Sequence, residues 1–220
     1  MEQSGRDPIA LGKSAIIATY VWLACDVMAG LASAFELIQL SGLDPSAEMT
    51  MSSSPPEADL SAMVVGMVGL VYMLAFAVAG FLILRWIYRV NSNAHVLTDW
   101  MQMSPGWNVG FFFIPIATLW KPFEGVRDSW RASFSPEDPE AEPVPDLLRW
   151  WWGLWIAMSI LGNISFRLSL RASTVSDQLP VDVLNIVGLF IDVPLAFFLV
   201  RIIRELSAAQ SAVLKRAVFT

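Results

Sequence analysis

The feature that most constrains this chain is a set of long apolar blocks that contain few charges. The first block, Ala15 to Leu40, would form about 39 Å of α-helix at about 1.5 Å per residue, against a bilayer hydrocarbon core of about 30 Å. Of the 220 residues, 55% are hydrophobic and only 15% are charged. This composition is typical of an integral membrane protein rather than of a soluble domain.

We therefore predict an all-α fold, a polytopic transmembrane helix bundle that forms a single membrane domain over residues 1–220. Four of the apolar blocks are long enough to cross the bilayer, and the remaining segments are short, amphipathic or polar. The predicted elements are spans at about 15–40, 60–84, 147–166 and 183–200, a short or re-entrant segment at 107–120, an interfacial helix at 121–134, and loops at 41–59, 135–146 and 167–182. The first span carries Asp26 and is long for a signal peptide, so we expect it to be retained.

The third apolar block, Trp107 to Trp120, is too short for an ordinary crossing. It would give only about 21 Å of helix, and Gly110 and Pro115 weaken a straight helix within it. A re-entrant hairpin or a short helix buried among the others is therefore as plausible as a full span.

Charge asymmetry favours the re-entrant alternative. If the N-terminus is cytoplasmic and the third block re-enters, all but two of the 14 Lys and Arg residues, Arg167 and Arg171, fall on the cytoplasmic side. All but one of the 10 tryptophans then lie near the cytoplasmic interface, where indole rings prefer to sit. The sequence thus predicts a multi-pass membrane protein with both termini in the cytoplasm.

Several functional classes are excluded or left without support. The net charge of −6 and the scattered bases argue against nucleic-acid binding. With one cysteine, Cys25, and one histidine, His95, the chain lacks the ligands for a zinc, haem or iron–sulfur site, and we expect no metal or other cofactor. No motif ties a nucleophile to a base, so we expect no enzymatic activity.

Two acidic residues lie near the middle of predicted spans, Asp26 in the first and Asp192 in the last. A charge there costs about 2.5–3.5 kcal/mol on insertion scales, so both should face the bundle interior. Together with Asn163 and Asn185 they form a candidate intramembrane polar site that carries a proton or a cation. The alternative is that they are packing residues, bonded to Asn163 or Ser159 of the fourth span.

A second candidate site is a cationic, tryptophan-rich rim at the cytoplasmic headgroup level. Its residues are Lys121, Arg127, Arg131, Arg149, Trp120 and Trp130. Anionic lipid headgroups, or a protein partner, would be the natural ligands of this rim. The alternative is generic anchoring by interfacial bases and aromatic rings.

One stretch of the chain resembles a known family. The run SPGWNVGFFFIPIATLWKPFEGVRDSWRAS, from Ser104 to Ser133, is followed by RWWWGLWIAMSILGN, from Arg149 to Asn163. These motifs resemble the bacterial membrane family known as domain of unknown function 4328, over about Leu82 to Asn163. The resemblance implies a multi-helix protein of a bacterial cytoplasmic membrane and brings no activity with it.

The sequence leaves two functions open. The first is a non-enzymatic scaffold, accessory subunit or lipid-interacting protein, with a protein partner or a second copy of the chain held on small-residue helix faces. The alternative is a small proton- or cation-linked transporter or channel that uses the mid-membrane carboxylates.

Overall fold

The computed structural model describes residues 5–47 and 56–218, with side chains for residues 5–47 and 66–216. All regular structure within these ranges is helical, which confirms the predicted all-α class. The helices are α1 (Ile9–Leu40), α2 (Pro56–Leu97), α3 (Pro105–Gly110), α4 (Lys121–Phe134), α5 (Asp146–Ser169) and α6 (Val175–Val218). Two 3₁₀ turns, Phe111–Phe113 and Ala117–Leu119, lie between α3 and α4.

Three helical stretches are long and apolar enough to cross a membrane: Ile9–Leu40, Gly66–Leu97 and Val175–Arg216. They carry large apolar side chains on their exposed surface, such as Met73, Phe81 and Phe190, as expected of helices that face lipid tails. The 24-residue α5 is not among them, so the predicted count of four spans is not confirmed. Polar residues near both ends of α5, such as Arg149 and Arg167, shorten its apolar stretch.

The last helix is longer than the sequence predicted. α6 begins at Val175, inside the segment predicted to be a loop, and continues through Pro180 and Pro194 to Val218. The Asp177 side chain fixes its start: Thr174 N–H and Oγ1 donate to Asp177 Oδ2 at 3.0 and 2.8 Å. The backbone N–H of the residue before the helix is thereby satisfied.

The chain divides into two compact units. Unit 1 comprises Met1–Thr19, Val78–Gly153 and Phe197–Thr220, and unit 2 comprises Tyr20–Ala77 and Leu154–Ala196. α1, α2, α5 and α6 each contribute residues to both units, whereas α3 and α4 belong wholly to unit 1.

Unit 1 has a well-packed core with a polar network inside it. Trp86, Leu148 and Leu206 are among its largest fully buried side chains. Gln210, also fully buried, donates from Nε2 to Val90 O at 2.8 Å and to Ser133 Oγ at 3.0 Å, and it accepts from Asn93 Nδ2 at 3.0 Å. The helices here are therefore joined by side-chain hydrogen bonds as well as by apolar packing.

The segment between α2 and α4 is held by close contacts rather than by a long helix. Asn108 of α3 is fully buried against Gly125 of α4, and a Cβ added at Gly125 would overlap the Asn108 side chain. Trp152 Nε1 donates to Leu119 O at 2.9 Å and so satisfies one carbonyl of this non-helical backbone. The short helix and two 3₁₀ turns occupy the residues for which the sequence left a span or a re-entrant element open.

Ile116 adopts an unusual backbone conformation within this segment. Its φ of 69° and ψ of −58°, with a hydrogen bond of 2.8 Å from Ala117 N to Pro115 O, define a γ-turn of the rare, strained kind. Positive φ is unfavourable for a β-branched residue, so the tight reversal after Pro115 is made at a conformational cost.

Among the buried side chains of unit 2, polar and charged residues make up a larger fraction than they do in unit 1. Asp26, Ser33, Ser165, Asp182 and Asp192 are all buried. Buried polar residues within apolar helices often form functional sites, so unit 2 is the place to look for one.

Candidate functional site

A cavity of about 250 Å³ lies within unit 2, between α1, α2, α5 and α6. Its lining alternates small or apolar residues with polar ones on each helix. The lining residues are Asp26, Ala29, Gly30, Ala32, Ser33 and Glu36 of α1, Val68, Gly69 and Tyr72 of α2, Met158, Leu161, Gly162 and Ser165 of α5, and Leu184, Asn185 and Asp192 of α6. Small residues at these positions leave the space that larger side chains would fill.

Asp26 and Asp192 both line this cavity and are both buried, with relative exposures of 8% and 0%. Three of their four carboxylate oxygens, Asp26 Oδ2 and both oxygens of Asp192, have no hydrogen-bond partner among the residues described. The two groups are close enough to interact electrostatically. The structure therefore brings together the two carboxylates that the sequence picked out on separate helices.

A short chain of hydrogen bonds crosses the cavity beside them. Ser165 Oγ donates to Asn185 Oδ1 at 2.8 Å, and Asn185 Nδ2 donates to Ser33 Oγ at 3.2 Å. This chain connects α5, α6 and α1 and fixes the orientation of the Asn185 amide. Asn185 thus lines the cavity beside the two aspartates.

Asn163, the fourth residue predicted for this site, lies elsewhere. It does not line the cavity, it is exposed, and its Oδ1 accepts a hydrogen bond from Arg167 Nε at 2.7 Å. Met158, Leu161, Gly162 and Ser165 are the α5 residues that line the cavity. The helical rotation of about 100° per residue turns Asn163 away from Leu161 and Ser165. Ser159 is exposed as well and bonds to its own helix at Trp155 O.

The lining includes two ionisable residues that the predicted site does not contain, Tyr72 and Glu36. Tyr72 of α2 lies close enough to interact electrostatically with both aspartates, although nothing in the apolar run around it indicates that role. Glu36 lies about 80° from Asp26 around α1. It lines the cavity because the cavity is wide enough to include more than one line of residues on this helix.

Two glycines, Gly30 of α1 and Gly188 of α6, lie where helices around the site are in close contact. A Cβ added at Gly30 would overlap the Leu189 side chain, and one added at Gly188 would lie 3.3 Å from Met158 Cε. These contacts set the spacing of α1, α5 and α6, as expected where small residues line helix interfaces in membranes.

The cavity is acidic. The described side chains in its lining include three carboxyl groups and no Lys, Arg or His. Among the described side chains, no group of three or more His, Cys, Asp or Glu residues is arranged to hold a metal ion. The arrangement thus suits a positively charged species without forming a metal coordination shell.

The predicted cationic rim lies in unit 1 and is less positive than its sequence indicated. Lys121 Nζ pairs with Glu124 at 2.6 Å, Arg127 Nε with Asp128 at 2.8 Å, and Arg149 NH1 with Asp146 at 2.9 Å. Arg131 Nε donates to the backbone oxygen of Glu142 at 3.0 Å. The neighbouring acids therefore neutralise much of the charge that an anionic headgroup would need.

The two rim tryptophans differ in position. Trp120 is 45% exposed, but Trp130 is only 5% exposed and stacks on Phe134 with ring centroids 4.5 Å apart. Trp130 is therefore a core residue rather than a ring on the surface. Its spacing along α4 fits a buried apolar face as well as a membrane-facing one.

Comparison with known proteins identifies a family without an activity. A family model described as a domain of unknown function (DUF4328) matches residues 49–208. Neither the curated proteins nor the solved structures gave a match. The matched region includes Tyr72, Asn185 and Asp192 and ends after the middle of α6, whereas Asp26 precedes it. Because this region covers most of the chain and contains the motifs from Ser104 to Asn163, the protein belongs to the family known as domain of unknown function 4328.

Proposed function

We propose that this protein is a small proton- or cation-linked membrane transporter in which Asp26 and Asp192 bind the transported charge. The observation that carries the proposal is that both buried aspartates line one cavity and that three of their oxygens have no partner among the described residues. A buried polar group without a partner costs about 1–3 kcal/mol, and more when it is charged. A proton or a cation bound between the carboxylates removes that cost.

The proposal includes a topology of four spans with both termini in the cytoplasm of a bacterium. α5 is the fourth span, since its 24 residues give about 36 Å of helix, and the segment from Pro105 to Leu119 does not cross. The distribution of Lys and Arg supports this orientation.

The accessory or lipid-binding role remains a prediction with less support. It depended on small-residue helix faces and on the cationic rim, and in the rim three of the four basic side chains pair with acids of the same chain. The unpartnered carboxylates have no comparable explanation as packing residues.

Proton movement in proteoliposomes tests the proposal. Purified protein is reconstituted with a pH-sensitive dye inside, and a membrane potential or a sodium or potassium gradient is applied. We expect wild-type flux well above that of empty liposomes and at least about a tenfold loss in Asp26→Asn and in Asp192→Asn, because the amide neither releases a proton nor balances a cation.

Glu137→Gln serves as the matched control, since Glu137 is an exposed acid outside the cavity and should leave the flux unchanged. Gel filtration establishes that each variant is folded before its flux is compared. Wild-type flux no greater than in empty liposomes, or equal flux in the two aspartate variants and the wild type, contradicts the proposal.

A further inference from the structure

The size and the walls of the cavity bear on what its aspartates bind. Resting on the function proposed above, we infer that the transported species is a small organic cation with a primary ammonium group, RNH₃⁺, which exchanges with a proton at Asp26 and Asp192. The ammonium lies between the two carboxylates, and the alkyl part lies along the apolar wall.

The volume of the cavity argues against a bare inorganic ion. At about 250 Å³ it is far larger than a single metal ion needs, and it approaches the lower end of about 300–1,000 Å³ typical of small-molecule sites. Within the part of the chain whose side chains are described, no group of three or more His, Cys, Asp or Glu residues is arranged to hold a metal ion. A sodium or potassium ion alone would occupy only a small part of this volume.

The walls suit an alkyl group. Val68, Met158, Leu161 and Leu184 line the cavity, and they come from α2, α5 and α6. A fully hydrated inorganic ion gains nothing from such surfaces, whereas burial of each CH₂ group contributes about 0.8 kcal/mol. The lining thus combines an apolar wall with acidic groups, as a site for an amphipathic cation requires.

The polar groups suit an ammonium that donates hydrogen bonds. A primary ammonium carries three N–H donors, and three carboxylate oxygens of Asp26 and Asp192 lack donors among the described groups. The aromatic ring of Tyr72 lines the same cavity and adds a surface attractive to a cation. The described lining residues include no Lys, Arg or His that would compete with the ammonium for the carboxylates.

Gly162 allows the volume to be tested apart from the charge. It lines the cavity, and a Cβ added there would meet no atom within 4 Å. In Gly162→Val the Cβ therefore fits without a clash, and we expect the two methyl groups to reduce the cavity volume. Gly153 lies on the same helix, also has open space at its Cβ position and does not line the cavity, so Gly153→Val is the matched control.

The probes are n-butylammonium, tetramethylammonium, sodium and potassium chlorides, added to the purified full-length protein in detergent at equal ionic strength. Isothermal titration calorimetry measures binding, and a dye in weak buffer measures protons released. We expect n-butylammonium to bind best and to release protons, because tetramethylammonium has no N–H donor. Asp26→Asn, Asp192→Asn and Gly162→Val should each weaken that binding at least about tenfold, while Gly153→Val matches the wild type.

The results separate this inference from the transport proposal. Equal binding of sodium or potassium and n-butylammonium, or full n-butylammonium binding in Gly162→Val, overturns the inference even if aspartate-dependent proton flux is present. Aspartate- and Gly162-dependent n-butylammonium binding supports a primary ammonium as the ligand of this cavity whether or not flux is found in liposomes. Absence of flux would then contradict the transport proposal and leave the ligand class standing.

Discussion

At the scale of single residues, buried polar groups of two kinds occur in this protein. In unit 1 the amide of Gln210 makes three hydrogen bonds, so each of its polar atoms is satisfied. In unit 2 both oxygens of Asp192 lack a partner among the described residues. A satisfied network stabilises a fold, whereas an unsatisfied carboxylate destabilises it until something binds. We therefore expect that replacing Gln210 by an apolar residue destabilises the protein, whereas replacing Asp192 by an uncharged one stabilises it.

Replacement of Gln210 by Leu should destabilise the protein. The change leaves Val90 O and Ser133 Oγ without their donor from Gln210 and should lower the free energy of unfolding by about 2–4 kcal/mol. Thermal unfolding in detergent, followed by circular dichroism, measures the loss. Gln102→Leu is the control, because Gln102 is exposed, and an equal effect of the two substitutions would contradict the structural role of the network.

The individual aspartates were predictable from the sequence, but their surroundings were not. An acid in the middle of an apolar block has few explanations, so Asp26 and Asp192 were found from position alone. Tyr72 lies in a run of apolar and small residues whose helix faces cannot be ranked by hydropathy, because every face is apolar. The partner chosen for the aspartates on α5, Asn163, was wrong for a related reason: spacing gives the relative angles of residues but not which angle faces the bundle.

At the scale of elements, the segment from Pro105 to Leu119 shows how backbone outside a long helix is satisfied by hydrogen bonds. It cannot satisfy its backbone by one continuous helix, so it relies on side chains such as Thr118, whose Oγ1 donates to Phe112 O at 3.2 Å. Its reversal at Ile116 demands a positive φ. The sequence indicated a break here through Pro115 and the shortness of the block, but no sequence signal predicts positive φ at an isoleucine.

Replacement of Ile116 by Gly should stabilise this segment. Glycine adopts positive φ without steric cost, and Ile116 is 70% exposed, so little apolar packing is lost. We expect the free energy of unfolding to rise by about 1 kcal/mol, seen as a higher midpoint in thermal unfolding. Ile114→Gly is the matched control, since Ile114 has an ordinary φ of −97° and should gain nothing. A decrease in stability for Ile116→Gly would contradict the strained turn.

At the scale of the whole molecule, hydropathy predicted the helical class but not the number of crossings. Three helices are apolar and long enough to span, and α5 depends on other arguments because its ends are polar. The prediction that α5 crosses comes from the length of its apolar block, and the distribution of bases gives its orientation. The loops on either side of α5 therefore provide the test.

Cysteine labelling measures the topology directly. In a Cys25→Ser background, a membrane-impermeant thiol reagent is applied from each side to Glu137→Cys and Ser173→Cys, both exposed positions. We expect Glu137→Cys to react from the cytoplasmic side and Ser173→Cys from the outside. Labelling of both from one side would remove α5 from the spans, and exchanged sides would mean that the segment before α4 crosses.

The contact between Asn108 and Gly125 also has a consequence for evolution. With the Asn108 side chain buried directly over the Gly125 Cα, neither position is free to change size alone. Family members should therefore substitute the two sites as a pair, with any residue larger than glycine at 125 accompanied by a smaller one at 108. Pairwise covariation in an alignment of the family would show this coupling, and independent variation would mean that the two helices adjust their separation instead.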